Sequence, residues 1–68
     1  MTWKVYRRRG FTEIRPYEMG EDLTNVSVQP GYEPQQGDMI ARRYDDPKDM
    51  WVIEASYFKD NYDLVVQE

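Results

Sequence analysis

The sequence predicts a single β-rich α+β domain in which about five short strands close into a small barrel or half-barrel, with one short helix near residues 56–62. Three observations predict it. The chain has 68 residues, which limits it to one domain. Apolar and polar residues alternate in short runs broken by Gly, Pro, Asn and Asp, as strands do. Only "SYFKDNY" spaces its aromatics near helical intervals.

Each element follows from its residues. "TWKVYRR" alternates, with Trp3, Val5 and Arg7 on one face and Lys4 and Tyr6 on the other, so a first strand is expected. Gly10 interrupts it and marks a kink or bulge. "FTEIRPY" alternates again and ends at Pro16. "EMGEDLTNVSVQPGYEPQQGD" carries Gly and Pro punctuation. It is expected as irregular surface chain holding one strand of roughly five residues around Val26 and Val28. "MIARRY", "DDPKD" and "MWVIEA" read as strand, turn and strand. Asp46 begins a type I turn, Pro47 fixes φ, and Lys48 and Asp49 close it. Ser56 is the expected N-cap of a two-turn helix, which holds only if it is packed. "DLVVQE" returns as the last strand. Trp51, Ile53, Phe58 and Leu64 are the expected interior.

A domain this small buries only about 60% of its unfolded surface. With no cysteine, no disulfide staples it. Its two Trp, six Tyr and two Phe must supply the buried area instead. "MTWKVYRRRG" has no apolar run behind its charges, so no signal peptide is expected, and no stretch approaches the roughly 20 apolar residues of a membrane span. A soluble, intracellular protein is the expectation.

Composition excludes much chemistry. Without Cys or His there is no Cys–His pair, no Ser–His–Asp triad, no histidine base and no thiolate or imidazole zinc site. Asp45, Asp46 and Asp49 crowd one turn, but "DDPKD" lacks the ligand number and spacing of a calcium loop and reads as a solvated turn. A carboxylate pair for glycoside hydrolysis exists by number alone, in a chain too small to wrap a substrate. No enzyme, metal or cofactor is expected.

Charge is divided along the chain. Residues 1–17 hold five basic side chains and one acidic, a net of +4. Residues 18–68 hold four basic and twelve acidic, a net of −8. A basic strand lying beside acidic ones accounts for this. So does an acidic face that docks on a basic partner, with Tyr44, Asp45, Asp46, Asp49, Asp60, Tyr62 and Asp63 as its contact residues. Arg7, Arg8 and Arg9, between Tyr6 and Phe11 in "YRRRGF", are the alternative, meeting nucleic-acid phosphates while the rings stack on bases. On a regular strand Arg7 and Arg9 would share one face and Arg8 the other, which splits that patch. The acidic total also disfavours nucleic acid.

"RPYEMGEDLTNVSV" followed by "GDMIARRYDDPKDMWVIEASYFKDNYDLV" resembles small uncharacterised proteins of tailed bacteriophages, over about Arg15 to Val66. The shared features are an Arg-Pro with "GEDLT-V-S", the "GDMIAR" turn and strand, an aromatic-led strand, and a "YF--N" ending. None of these carries chemistry, so the resemblance implies an origin rather than a mechanism. More distantly, Gly37, Asp38, Ala41, Arg42, Ile53 and Tyr57 are similar in order to the last half of SH3 domains. That likeness implies an SH3-like barrel. Met39 and Glu54 stand where the peptide-stacking Trp and the groove proline would be, so proline-peptide binding is not implied.

Taken together, these readings predict a non-enzymatic phage protein in the host cytoplasm that occupies a host protein, as anti-defence inhibitors of the anti-CRISPR type do. The alternatives are a nucleic-acid-binding accessory protein using the three arginines, and a virion structural or assembly component.

Overall fold

The computed structural model describes residues 2–65; Val66, expected in the last strand, lies outside them. The elements run β1 (Lys4–Arg7), β2 (Phe11–Pro16), β3 (Val26–Ser27), β4 (Met39–Arg43), β5 (Met50–Ile53), α1 (Ala55–Asn61) and β6 (Asp63–Leu64). Six strands form one mixed sheet in the order β3-β5-β4-β2-β1-β6. Every ladder is antiparallel except that of β3, which lies parallel to β5. The sheet is open. Among the described residues no ladder joins its edges, β3 and β6, into a closed barrel. Each edge strand has two residues and offers no length for a seam.

Local chemistry sets the two hairpins. β1 and β2 meet at Arg7 opposite Phe11, leaving Arg8, Arg9 and Gly10 as a three-residue loop. Gly10 therefore turns a hairpin rather than bulging a strand, and the Arg8 amide donates to its carbonyl at 3.2 Å. In the β4–β5 hairpin the Asp49 amide donates to the Asp46 carbonyl at 3.0 Å, and the Lys48 amide to Asp46 Oδ1 at 3.3 Å. That is the turn expected from "DDPKD". The long connection before β4 forms only two strand residues, not about five, because β5 offers β3 just Met50 and Trp51 as partners.

Packing follows the pleat. Ile40 and Ala41, adjacent in β4, are both 0% exposed, so the centre of the sheet is covered on both faces. On one face Ile14, Ala41 and Ile53 form the core, with Tyr6, Met39, Trp51, Phe58 and Tyr62 packed against it. Phe58 of α1 meets Tyr6 edge to face at 5.0 Å between ring centres. Ile40 belongs to the other face. There the Trp3 ring lies under the guanidinium groups of Arg42 (4.1 Å) and Arg15 (5.1 Å). Arg42 pairs with Glu13, and Arg15 reaches Glu21 of the long connection with two hydrogen bonds of 2.6 and 2.9 Å.

Three sequence expectations need correcting. Leu64 is 48% exposed, because among the described residues β6 is the edge of the sheet. Trp51 and Phe58 are half-buried rather than enclosed. Ser56 lies inside α1 rather than capping it. Glu54 occupies the N-cap position, and its side chain makes no capping bond. The Ala55 amide instead donates 3.0 Å to Oδ1 of Asp38, 17 residues away. Asp38, 3% exposed, also accepts the Gln35 amide at 2.9 Å and the Tyr32 hydroxyl. One buried carboxylate thus joins the long connection, β4 and the start of the helix, with each of its polar contacts satisfied.

Candidate functional site

The two hairpin ends lie side by side. β2 pairs with β4 from Thr12 opposite Arg43 to Pro16 opposite Met39. The β1–β2 loop therefore sits next to the residues that leave β4. Between them is a concavity of about 330 Å³ lined by Arg8, Arg9, Gly10, Phe11, Thr12, Arg43, Tyr44, Asp45 and Tyr62. Phe11 and Tyr44 form one wall, with ring centres 6.0 Å apart, and are 53% and 57% exposed. Arg43 pairs with Asp45 at 3.2 Å across an exposed surface. Such a pair contributes about 0–1 kcal/mol, so Arg43 is free to exchange it for another anion.

A second concavity, of about 480 Å³, adjoins the first along Arg8 and Tyr62 and continues past Tyr57, Trp51, Val52, Ile53, Glu54 and Gln29. Tyr62 follows α1, and its ring stacks on Phe58 at 5.9 Å and meets Tyr57 at 6.4 Å. The Arg8 guanidinium lies 5.2 Å from the centre of the Tyr57 ring. Burial pushes the Tyr62 hydroxyl above its ordinary pKa, with Arg8 pulling it down and Tyr57 pushing it up. The phenol stays protonated at neutral pH and keeps its O–H as a donor. Surface rings with arginines between them are the residue types that carry binding energy at protein interfaces.

The sequence candidates distribute unevenly around this groove. Tyr44, Asp45 and Tyr62 line it. Asp46 and Asp49 continue the same turn, Asp60 lies on α1, and Asp63 stands opposite Arg7 in the β1–β6 ladder. Arg8 and Arg9 line the groove together, whereas strand alternation had placed them on opposite faces. They belong to the hairpin loop, where period-two facing no longer applies. Arg7, in β1, is not a lining residue. Parts of the two candidate sets, 35 or more residues apart in sequence, thus meet at one place: Arg8 and Arg9 from one, and Tyr44, Asp45 and Tyr62 from the other. Sequence reasoning offered Phe11 only as a base-stacking ring beside the arginines and missed Arg43 and Trp51 as groove residues, since their meeting depends on the β2–β4 and β4–β5 registers.

Among the described residues no three acidic side chains gather to hold a metal ion. Asp45 turns to Arg43, while Asp46 accepts the Lys48 amide. No helix of the described residues is long and apolar enough to cross a membrane. No family model matches the chain, and neither a curated protein nor a solved structure matches it significantly.

Proposed function

We propose that this chain is a small non-enzymatic binding protein that acts by occupying a partner protein through the groove between its two hairpin ends. One observation carries the reading: the exposed rings of Phe11, Tyr44 and Tyr57 gather around Arg8, Arg9, Arg43 and Asp45 instead of being scattered. Clustered surface aromatics with arginine mark interfaces, whereas isolated exposed rings do not. The resemblance to tailed-phage proteins supports reading the partner as a host protein of a bacterial cytoplasm and the job as host takeover or anti-defence inhibition. An SH3-like half-barrel is the finer fold description that accompanies this reading. Its support is the strand–turn–strand–helix–strand order from Met39 to Leu64.

The acidic residues keep a role at the rim. Asp46 and Asp49 extend the turn beyond Asp45, and the chain is acidic overall, with a net charge of −4. Rim charges act mainly on the rate of association. The test is retention of a bacterial partner on immobilised wild-type and variant protein. Phe11→Ala with Tyr44→Ala abolishes retention, and Asp46→Lys with Asp49→Lys slows association and lowers its salt sensitivity. Equal retention by all three proteins would refute the reading.

One observation favours a second reading, single-stranded nucleic acid: three arginines and two exposed rings share the concavity. It predicts that a labelled oligo(dT) binds at low salt and that Arg8→Ala with Arg9→Ala removes the binding.

A further inference from the structure

We infer that the groove takes an acidic, aromatic-containing segment of the partner, with a partner carboxylate seated among Arg8, Arg9 and Arg43 and a partner ring against Trp51 and Tyr57. This rests on the reading that the groove is the contact surface, and it names the chemistry of what enters.

Local charge selects the ligand. The chain is acidic as a whole, yet the first concavity holds three guanidinium groups and one carboxylate, Asp45. Arg43 shares that carboxylate, Arg8 rests on the Tyr57 ring, and Arg9 has no ion pair among the described residues. The middle of the groove is therefore positive and short of anions. Arginine binds carboxylates with paired hydrogen bonds, and weak hydration lets it do so beside aromatic rings.

The shape supplies the second part. The two concavities share Arg8 and Tyr62, so the positive centre opens directly onto Trp51, Tyr57, Val52 and Ile53. An incoming carboxylate at the arginines has a hollow next to it that is lined by the rings of Trp51, Tyr57 and Tyr62. Tyr62 lines both concavities and joins them.

Carboxylates within the groove limit the size of the anion. Asp45 lines the first concavity and Glu54 the second. A nucleic-acid backbone needs a continuous positive track, because each phosphate along it carries charge. Here a polyphosphate spanning both concavities would meet the carboxylates of Asp45 and Glu54 as well as the arginines. A short acidic segment fits the same pattern: one or two carboxylates meet the arginines, and basic or neutral neighbours meet Asp45 and Glu54.

Trp51 provides the readout. It lines the groove, while Trp3 lies on the other sheet face under Arg15 and Arg42. In a Trp3→Phe background, the emission of Trp51 is followed while a random Glu–Tyr copolymer is added, with a Lys–Tyr copolymer and oligo(dT) as counter-probes. If Trp3→Phe fails to fold, the Trp51 indole NMR signal of the wild-type chain replaces emission. The Glu–Tyr copolymer is expected to shift Trp51 saturably. Arg9→Glu with Arg43→Glu, both at exposed positions, should weaken this by at least about tenfold, and Asp46→Lys with Asp49→Lys should not weaken it. A silent Trp51, equal binding by the arginine reversals, or tighter binding of either counter-probe overturns the inference. If a cellular partner still depends on Phe11 and Tyr44 while the Glu–Tyr copolymer leaves Trp51 unchanged, this inference falls and the binding role stands. If partner and copolymer both ignore the groove, both fall.

Discussion

Replacing Asp38 tests the joint on which the groove depends. Asp38 is 3% exposed, and its two carboxylate oxygens accept the amides of Ala55 and Gln35 and the hydroxyl of Tyr32. A hydrogen bond to a charged group contributes about 1.5–3 kcal/mol net, and a buried donor left without an acceptor costs about 1–3 kcal/mol. Ala55 and Gln35 are themselves exposed residues and Tyr32 is half-buried, so water replaces part of each lost bond. The lower ends of those ranges apply, which gives about 2–4 kcal/mol for Asp38→Ala. Asp38→Asn keeps one carbonyl acceptor and loses about half as much. A domain of this length has a total stability of roughly 3–10 kcal/mol, so the alanine variant removes a large share. The assay is urea unfolding at pH 7, read as a lower midpoint at unchanged slope. Amide exchange in α1 should also speed up, since the helix loses the acceptor for its first-turn amide. If Asp38→Ala unfolds within about 0.5 kcal/mol of wild type, the carboxylate is not the joint and the reasoning is refuted.

Three other expectations follow from the same packing. Ile14→Ala, at a side chain 1% exposed, lowers stability by about 2–5 kcal/mol, while Leu64→Ala, at an exposed edge position, changes it by less than about 1 kcal/mol; paired urea titrations check both. Gly37 has φ +101°, so Gly37→Ala destabilises by about 1–3 kcal/mol, whereas Gly10→Ala, with open space at its Cβ, stays near neutral by thermal melting. The hydrogen bond to Asp38, then desolvation, pushes the Tyr32 phenol up to about 12 from 10. A raised folded pKa gives stability that is full below pH 10 and lost as pH rises through 12, so the alkaline loss should shrink in Tyr32→Phe, read by unfolding at stepped pH.

The legible parts of this fold were local ones. "DDPKD" announced its hairpin because Asp46, Pro47 and Asp49 act within four residues of one another. Alternation marked β1, β2, β4 and β5, and aromatic spacing marked α1 to within a residue. What escaped were features decided at long range. The helix start was misassigned to Ser56 because the true acceptor, Asp38, arrives from 17 residues away. β3 was overextended because its length depends on how much of β5 remains unpaired. Leu64 was placed inside because its hydrophobicity is visible in the sequence and its edge position is not. The candidate site divided in the same way. Tyr44, Asp45, Arg8 and Arg9 were each legible as surface candidates. Their convergence was not, because it requires the β2–β4 register that sets Thr12 beside Arg43.

The central claim is that a partner protein is contacted at the groove between the hairpin ends. A photo-crosslinking residue placed at position 44 or position 19 tests it directly. Both natural side chains, Tyr44 at 57% and Met19 at 64%, are exposed, so either position accepts the probe without disturbing the fold. Tyr44 lines the groove and Met19 does not. On irradiation in bacterial lysate, the account predicts a discrete crosslinked partner at position 44 that is lost with Phe11→Ala, and none at position 19. A partner captured at position 19 and not at 44, or none at either, would contradict it.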